Sequence, residues 1–400
     1  MSPVQVRPAA LFGFDLMHLT KEEENILEGE KGEGPAKAME LLVAIGKIYD
    51  ADRLIPIESA QIAGVSYKTM GDAGLEFVQD FAEKAQVKVK AMLNPAGMDL
   101  NHKNYESDEF RSKQIELIKA YRELGIEVSC TCTPYLAGNR PSIGTHLAWS
   151  ESSAVSFANS VLGARTNREG GPSALMAAVI GKTPNYGLHI KENRRPDIVY
   201  DVEGDIPLSL LGYLVGRETS DEIPYFKDIS PREDGLKTLG AAMAATGSVA
   251  MYHVEGVTPE YDDFDIGHLE KVEIGPEDIE EIKEELKSKK EPDVIVIGCP
   301  HLSRPEIFEL ADKLEGRERK NGPDLLVYTS RKVMEESKEA VRKIEKFGSV
   351  VSDTCMVVSP LEDKYEVAAT DSGKAAAYLP KLANQKVIYA DMDTLLEMIA

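Results

Sequence analysis

Apolar positions change rhythm along this chain, and the C-terminal part is the easiest to read. DVIVIG (293–298) and DLLVY (324–328) are nearly unbroken apolar runs, without the alternation of a strand that has one wet face. They predict strands covered on both sides. Charged, helix-length segments separate them, beginning with PEDIEEIKEELKSKK (276–290), which carries Pro in its first turn. The expected order is helix 276–290, strand 293–298, helix 304–315, strand 324–329, helix 331–347, strand 349–353, helix 373–384, strand 386–390 and helix 392–399. Strands alternating with helices of this length imply a parallel sheet with crossover helices.

Residues 20–190 alternate less regularly. Helices near 21–29 and 35–49 precede strand 53–58, and a helix near 72–84 leads to strand 86–93. Helix 107–124 ends at Gly125, a C-terminal cap, before strand 126–132; helices near 147–162 and 173–180 follow. Residues 185–270 mix strands 196–202 and 248–254 with helices near 207–216 and 235–246. No internal repeat or low-complexity linker stands out. The fold class is α/β, parallel sheets with flanking helices in two or three domains: 17–190, a mixed segment 191–271, and a C-terminal unit 272–400. Residues 1–16 differ in character. Thr20 and Glu23, just after Met17, have capping-box spacing, so 1–16 is expected to be an extension ahead of the true start or a loosely ordered arm.

Four hundred residues give ample length for separate buried cores. Net charge is −22, from 46 basic and 68 acidic residues, and no Lys/Arg-rich run interrupts it. That argues against a nucleic-acid or anionic-membrane partner. An anionic substrate needs a locally basic pocket in this acidic body. No apolar run approaches a membrane span, and no secretory signal pattern is present. Four cysteines are too few for a disulfide framework. The expectation is a reducing cytoplasm, where cysteine is available as a ligand.

Three cysteines bring chemistry into view. Cys132, Cys299 and Cys355 stand at or just past the ends of the runs IEVSCTCTPY (126–135), DVIVIGCP (293–300) and SVVSDTCMV (349–357). In open α/β sheets, ligands bind outside the carboxyl ends of the strands. A lone cysteine is most often a small buried hydrophobe. Three at strand ends can instead converge on a metal or iron–sulfur cluster and leave one position free for chemistry. Structural zinc competes, but it usually draws on close C-x-x-C-type knuckles, whereas the separations here are 167 and 56 residues. Cys130 shares a strand face with Cys132 if the run alternates, but it lies further inside and reads as core.

Asn167, Arg168 and Glu169 precede Gly170-Gly171-Pro172, where a tight turn exposes the first N–H groups of a helix. Arg168 there could grip a carboxylate or phosphate by two bonds; the plainer reading is a solvated surface loop. Ser66, Tyr67 and Lys68 in AGVSYKTMGDAG, Asn94 in LNPAGMD, and Ser372 and Lys374 in ATDSGKAAAYLP sit at strand-to-helix positions suited to anions. Each alone is ordinarily a cap or turn. No G-x-G-x-x-G follows a strand, which argues against a nicotinamide fingerprint. His146 and Glu151, in GTHLAWSESS, are poorly spaced for one helix face and rank as supporting candidates; Trp149 reads as packing.

The stretches IPIESAQIAGVSYKTMGDAGLEF, LNPAGMDL, CTPYLAGNRPSIGTHLAWSESSAVSFANSVLGARTNREGGPSAL, GCPHLS, DTCMVVSP and DSGKAAAYLP together resemble aconitase X. The resemblance runs from about Met17 to the C-terminus, and the block from Cys132 to Leu175 is its most specific part. It implies an aconitase-like fold lacking the swivelling domain. It also implies an iron–sulfur dehydratase whose cluster, 4Fe–4S or its three-iron oxidised product, is held by Cys132, Cys299 and Cys355, with no role for Cys130. By length the chain corresponds to the archaeal two-chain form. There a separate small subunit takes the place of the swivelling domain and supplies a serine as general base. Fused relatives, which include cis-3-hydroxy-L-proline dehydratases, are longer. The archaeal form removes water from (R)-5-phosphomevalonate to give trans-anhydromevalonate 5-phosphate, in a modified mevalonate pathway to isoprenoids. The implied partners are the small subunit and a small phosphorylated hydroxy acid. In that setting Arg168 and Asn167 are candidates for the substrate carboxylate, with Glu169 beside them as a catalytic candidate. Ser66, Lys68 and Lys374 are candidates for the phosphate, and Tyr67, Asn94 and Ser372 for further substrate contacts. The rivals are a dehydratase of another hydroxy acid, such as cis-3-hydroxy-L-proline, and a non-catalytic metal or iron–sulfur protein.

Overall fold

The computed structural model describes residues 17–102, 106–219, 222–288 and 290–400; the extension expected over 1–16 lies outside the described residues. Strands β1 (Leu54–Pro56), β2 (Ser59–Ile62), β3 (Lys90–Leu93), β4 (Ala148–Trp149) and β5 (Lys182–Pro184) make two small sheets. β1 pairs antiparallel with β5, and the other three are parallel in the order β3-β2-β4. β6 (Ile198–Val202), β7 (Pro224–Lys227), β8 (His253–Val254) and β9 (Glu270–Ile274) form a parallel sheet in the order β8-β7-β6-β9. β10 (Val294–Leu302), β11 (Asp324–Thr329), β12 (Ser349–Val351), β13 (Val367–Thr370) and β14 (Lys386–Tyr389) form a parallel sheet in the order β12-β11-β10-β13-β14. Among the described residues no helix is long and apolar enough to cross a membrane.

In each parallel sheet the earliest strand lies inside, and later strands are added on both of its sides. The winding therefore reverses beside β2, β6 and β10, and such a reversal opens a crevice beyond the carboxyl ends of the strands. Asn94 and Glu151 stand just past β3 and β4, while Ser372 and Lys374 follow β13.

β10 explains why its sequence reads as an unbroken apolar run. Ile295 and Ile297 enter one core cluster, with Leu310 and Ile344; Val294 and Val296 enter another, with Ala375 and Leu379. Each of these side chains contributes about 1.5–3 kcal/mol when fully buried. The pairing of β10 with β11 then shifts register between Ile297 and Leu302. Gly298 sits in that irregularity with φ 98°, and a Cβ there would lie 2.2 Å from the Tyr328 carbonyl oxygen. Only glycine fits, and the distortion frees Cys299 from a regular ladder position.

Several elements depart from expectation. The run 126–132 is not a strand: it forms one isolated bridge to the sheet, Met92 to Glu127, and a further bond from Thr131 N to the Leu93 carbonyl at 3.0 Å, and Cys130 has φ 42°. The alternation that put Cys130 and Cys132 on one face therefore does not apply. The expected strand 53–58 shrinks to β1, and β2, the central strand of its sheet, starts just beyond it at Ser59. The helix expected over 147–162 begins only at Ser152, because Ala148 and Trp149 pair with β2. The helix expected over 331–347 breaks at Ser337 into Arg331–Glu336 and Lys338–Ile344. The strand expected over 248–254 shrinks to β8. β7, β9 and β13 carried no recognised signal: β9 (EKVEI) is mostly exposed, and β13 (VAAT) is made of small residues. The capping box at Thr20 and Glu23 forms, and Gly125 ends its helix with φ 87°.

Candidate active site

A buried ion pair organises the space beyond the strand ends. Glu151 caps the helix Ser152–Ser160. Its carboxylate accepts from Asn94 Nδ2 at 2.9 Å, from Ser153 Oγ at 3.0 Å, and from Lys374 Nζ. Lys374 also donates to Ser153 Oγ at 3.0 Å. Only 13% of the Glu151 side chain and 6% of that of Lys374 is exposed. Burial on its own pushes a carboxyl up and an ammonium down. Here burial is the largest influence on each, yet the pairing overcomes it: Glu151 is held at about 2 and Lys374 above its usual range. Lys374 is delivered by Ser372, which caps the helix Gly373–Leu382. The Ser372 hydroxyl accepts from Ala375 N at 3.1 Å and donates to the Cys299 carbonyl.

The three cysteines surround this pair closely enough to feel its charges. Burial is the first cause raising each thiol above its usual value, and Lys374 pulls each back down. Cys355 pushes up both Cys132 and Cys299, and Cys299 reaches about 12. Burial outweighs the pull of Lys374, so they favour the neutral thiol in the absence of a bound metal. His301 ties their segments together. It is fully buried, two residues after Cys299, and its backbone N–H donates to Cys132 Sγ at 3.2 Å. Its ring meets Thr131 Oγ1 at 3.0 Å through Nδ1 and the Thr354 carbonyl at 2.8 Å through Nε2. A carbonyl can only accept, which assigns the proton to Nε2 and makes Nδ1 the acceptor. Burial depresses the ring to about 4, so it stays neutral. Asn94 Oδ1, Thr354 Oγ1 and Tyr135 Oη are buried without a hydrogen-bond partner, and Tyr135 lies near enough to Cys132 to feel its charge.

Arg168 reaches the same place. It is exposed, donating to the Ala244 carbonyl and to Tyr378 Oη, each at 3.2 Å. Tyr378 Oη is 3.3 Å from Ser152 Oγ, and Lys374 Nζ lies 5.8 Å from the Tyr378 ring centre. Among the described residues Arg168 has no carboxylate partner. A Cβ at Gly171 would sit 2.4 Å from the Ala63 carbonyl oxygen, so this glycine lets the Arg168 loop approach the end of β2.

Other candidates are occupied elsewhere. Asn167 uses its amide on the Tyr186 carbonyl at 3.1 Å and Leu188 N at 2.9 Å. Glu169 accepts from Ser173 Oγ at 2.6 Å and Thr183 Oγ1 at 3.2 Å, and burial raises its carboxyl. Ser66 caps the helix Tyr67–Ala82 and donates to the Val358 carbonyl at 2.7 Å. Lys68 holds the Ser359 carbonyl at 3.1 Å and Glu362 at 2.8 Å. Ser66 and Lys68 therefore fasten the segment that follows Cys355, and the lysine's charge is already met. Tyr67 bonds Asp72 at 3.0 Å. His146 precedes β4 whereas Glu151 follows it, and it pairs with His189 at 3.0 Å. Cys130 is fully buried in the N-terminal core, and Trp149 is fully buried with Nε1 on Ser59 Oγ at 3.2 Å. The reading of the sequence underrated Glu151 and passed over His301 and Tyr378. The histidine in GCPHLS, two places from a candidate ligand, was the one available signal.

Comparison with known proteins bears directly on this arrangement. Residues 16–192 match the aconitase X first domain, 196–284 the second and 292–400 the third. A phosphomevalonate dehydratase large subunit from Methanocaldococcus jannaschii is 51% identical over 95% of this chain and 100% of the relative. The Methanosarcina mazei protein of the same description is 52% identical over 94% and 96%. A cis-3-hydroxy-L-proline dehydratase from Pseudomonas aeruginosa is 32% identical over 98% of this chain but 71% of its own length. The crystal structure of Thermococcus kodakaraensis aconitase X in its holo form matches with a TM-score of 0.90 at 49% identity, covering 96% of this chain and 100% of that one. Three successive domains of one family account for nearly the whole length, and this chain belongs to the aconitase X family.

Proposed function

We propose that the chain is the large, catalytic subunit of an iron–sulfur hydro-lyase that converts (R)-5-phosphomevalonate to trans-anhydromevalonate 5-phosphate. The carrying observation is the gathering of Cys132, Cys299 and Cys355 around the buried Glu151–Lys374 pair. It occurs in a chain about half identical to phosphomevalonate dehydratase large subunits over their full lengths. In this reading residues 17–190 and 272–400 supply the site and 191–271 supports it. A small subunit completes it, as the description "large subunit" of the relatives implies.

The donor set, three free cysteines on three separate segments, is of the kind that holds an iron–sulfur cluster. Thiolates sharing one tetrahedral ion must crowd around it. Among the described residues no three His, Cys, Asp or Glu side chains are grouped to hold a metal ion in that way. Thiols on three separate segments, with Asn94 Oδ1, Thr354 Oγ1 and Tyr135 Oη left over, suit a larger inorganic core that takes hydrogen bonds. Cys132, Cys299 and Cys355 would hold it, and when bound it supplies a Lewis acid for the departing hydroxyl.

The protein groups do the rest. The C–H beside a carboxylate is weakly acidic, so charge placement decides the rate. Arg168, braced by Tyr378 and without a carboxylate partner among the described residues, is suited to fork onto the substrate carboxylate or phosphate. Lys374 keeps a positive charge in the site, and Glu151 fixes its direction. Asn94 Oδ1 is free to accept from a substrate hydroxyl. Proton removal falls to a serine of the small subunit, so the chain alone should turn over poorly.

Arg168→Ala should raise KM ten- to a hundredfold, about the worth of one charged hydrogen-bond pair, with a smaller change in kcat. Arg168→Lys should recover only part, because it lacks the planar fork. Steady-state kinetics decides; an unchanged KM removes Arg168 from substrate binding. His301→Phe keeps the bulk and loses both ring bonds, and should weaken iron retention about ten- to a hundredfold. Iron per chain after chelator challenge measures this. The activity itself is tested by anaerobic co-expression with a small subunit, reconstitution with iron and sulfide, and NMR of water loss from 5-phosphomevalonate. Turnover supports the reading. A loaded site that ignores this compound but dehydrates cis-3-hydroxy-L-proline would replace the substrate.

A further inference from the structure

A cavity of about 410 Å3 opens between the helix Asp108–Glu123 and the loop leading to Cys355. Its size is that of a small-molecule site. Lys119, Arg122 and Arg331 line it with positive charge, and Leu100, Ile115, Ile118 and Val128 form an apolar surface; Asn101 and Asp353 complete the wall.

The three cations differ in one respect. Arg331 is already met by Asp353 and by Asp99, the latter at 3.2 Å. Lys119 and Arg122 are exposed and one turn apart on the same helix face. Among the described residues neither side chain has a hydrogen-bond or ion-pair partner, although Glu116 and Glu123 lie on the same helix. In a protein of net charge −22, two adjacent cations without partners among the described residues, beside a cavity whose wall is part polar and part apolar, are suited to an anion with a hydrocarbon part. The cavity lies apart from the Glu151–Lys374 crevice. Cys130, fully buried, feels Arg122, Arg331 and Asp353, while the three candidate ligands feel Lys374 and Glu151. Asp353 links the two regions through the chain, two residues before Cys355, and its carbonyl accepts from Ala96 N at 2.8 Å.

We propose that this cavity is a second ligand site, for a small phosphate ester bearing a short hydrocarbon chain. The phosphate lies between Lys119 and Arg122, and the chain lies on Leu100, Ile115, Ile118 and Val128. Nothing in this assignment depends on the dehydratase reading.

Isothermal titration of the full chain with n-pentyl phosphate tests it. The expected result is saturable one-site binding, about tenfold or more tighter than inorganic phosphate and weaker at high salt. Affinity should fall about tenfold in Lys119→Ala and in Arg122→Ala, and stay unchanged in Arg168→Ala. Both substituted residues are exposed and have no partner among the described residues, so the variants should melt with the parent. Ile115→Glu, at a position 39% exposed, should weaken binding independently. Loss of binding in Arg168→Ala with Lys119→Ala and Arg122→Ala unaffected would assign the ester to the crevice and overturn the second site. Absence of binding, or inorganic phosphate binding equally well, would overturn it too.

Discussion

Alanine at Cys132, Cys299 or Cys355 should each take 5-phosphomevalonate turnover by the reconstituted two-subunit enzyme to background, a fall of about a thousandfold or more, or roughly 4 kcal/mol of barrier. In the proposed site each would supply one sulfur from a different segment, and the fourth cysteine is not placed to substitute. Cys130 is fully buried in the N-terminal core at φ 42°, where Asp353, Arg331 and Arg122 are the nearest charges to act on it. Cys130→Ala should therefore keep both iron and rate. Iron and sulfide per chain, visible absorbance and the NMR assay read the result. Stoichiometric iron and parental turnover in any of the three variants would remove that cysteine from the ligand set.

The second large effect is on stability. Lys374→Met leaves the Glu151 carboxylate buried and uncompensated, at a cost of about 3–5 kcal/mol. The double variant Glu151→Gln/Lys374→Met should regain most of that loss, because a buried pair replaced as a unit is often close to neutral. Urea midpoints with an unchanged slope would show it; a double variant as unstable as the single one would mean that packing around the substituted side chain, not charge, is at fault. The parent should also show the pair's acid dependence. Glu151 titrates at about 2 in the folded chain against a usual 4.5, so the unfolded chain binds the proton first. The stabilisation is complete above pH 4.5 and drains away as pH falls from there towards 2. Glu151→Gln/Lys374→Met should lack that component of the slope.

What the sequence reveals depends on which forces shape each segment. β10 and β11 were legible because a strand packed on both faces writes an apolar run into consecutive residues. Glycine at 125 was legible for a local reason, a left-handed cap. The run 126–132 misled because apolar alternation is shared by true strands and by extended segments that merely lie against a sheet. In the site, the cysteines stood out by position. Glu151 did not, because its role comes from partners at Asn94 and Lys374, 57 and 223 residues away. Asn167, Glu169 and Lys68 looked equally chemical in sequence, yet each is absorbed by loop or segment contacts that no local spacing announces.

The reach of His301 across Thr131 and Thr354 also sets a clock on biosynthesis. Domains tend to fold as they leave the ribosome, N-terminal first. A nascent chain that has released Cys132 can settle its first core, but it then offers one sulfur and a Thr131 hydroxyl that lacks its His301 contact. The second sulfur arrives with β10, and the third, with the carbonyl that anchors the histidine, only after β12. Lys374 comes later still. On the proposed ligand set, a cofactor would find nothing complete to bind until translation is nearly finished. A chain cut short of Cys355 would lack the third proposed ligand, and one docked out of register would carry all three without the site, so loading would report on the finished fold.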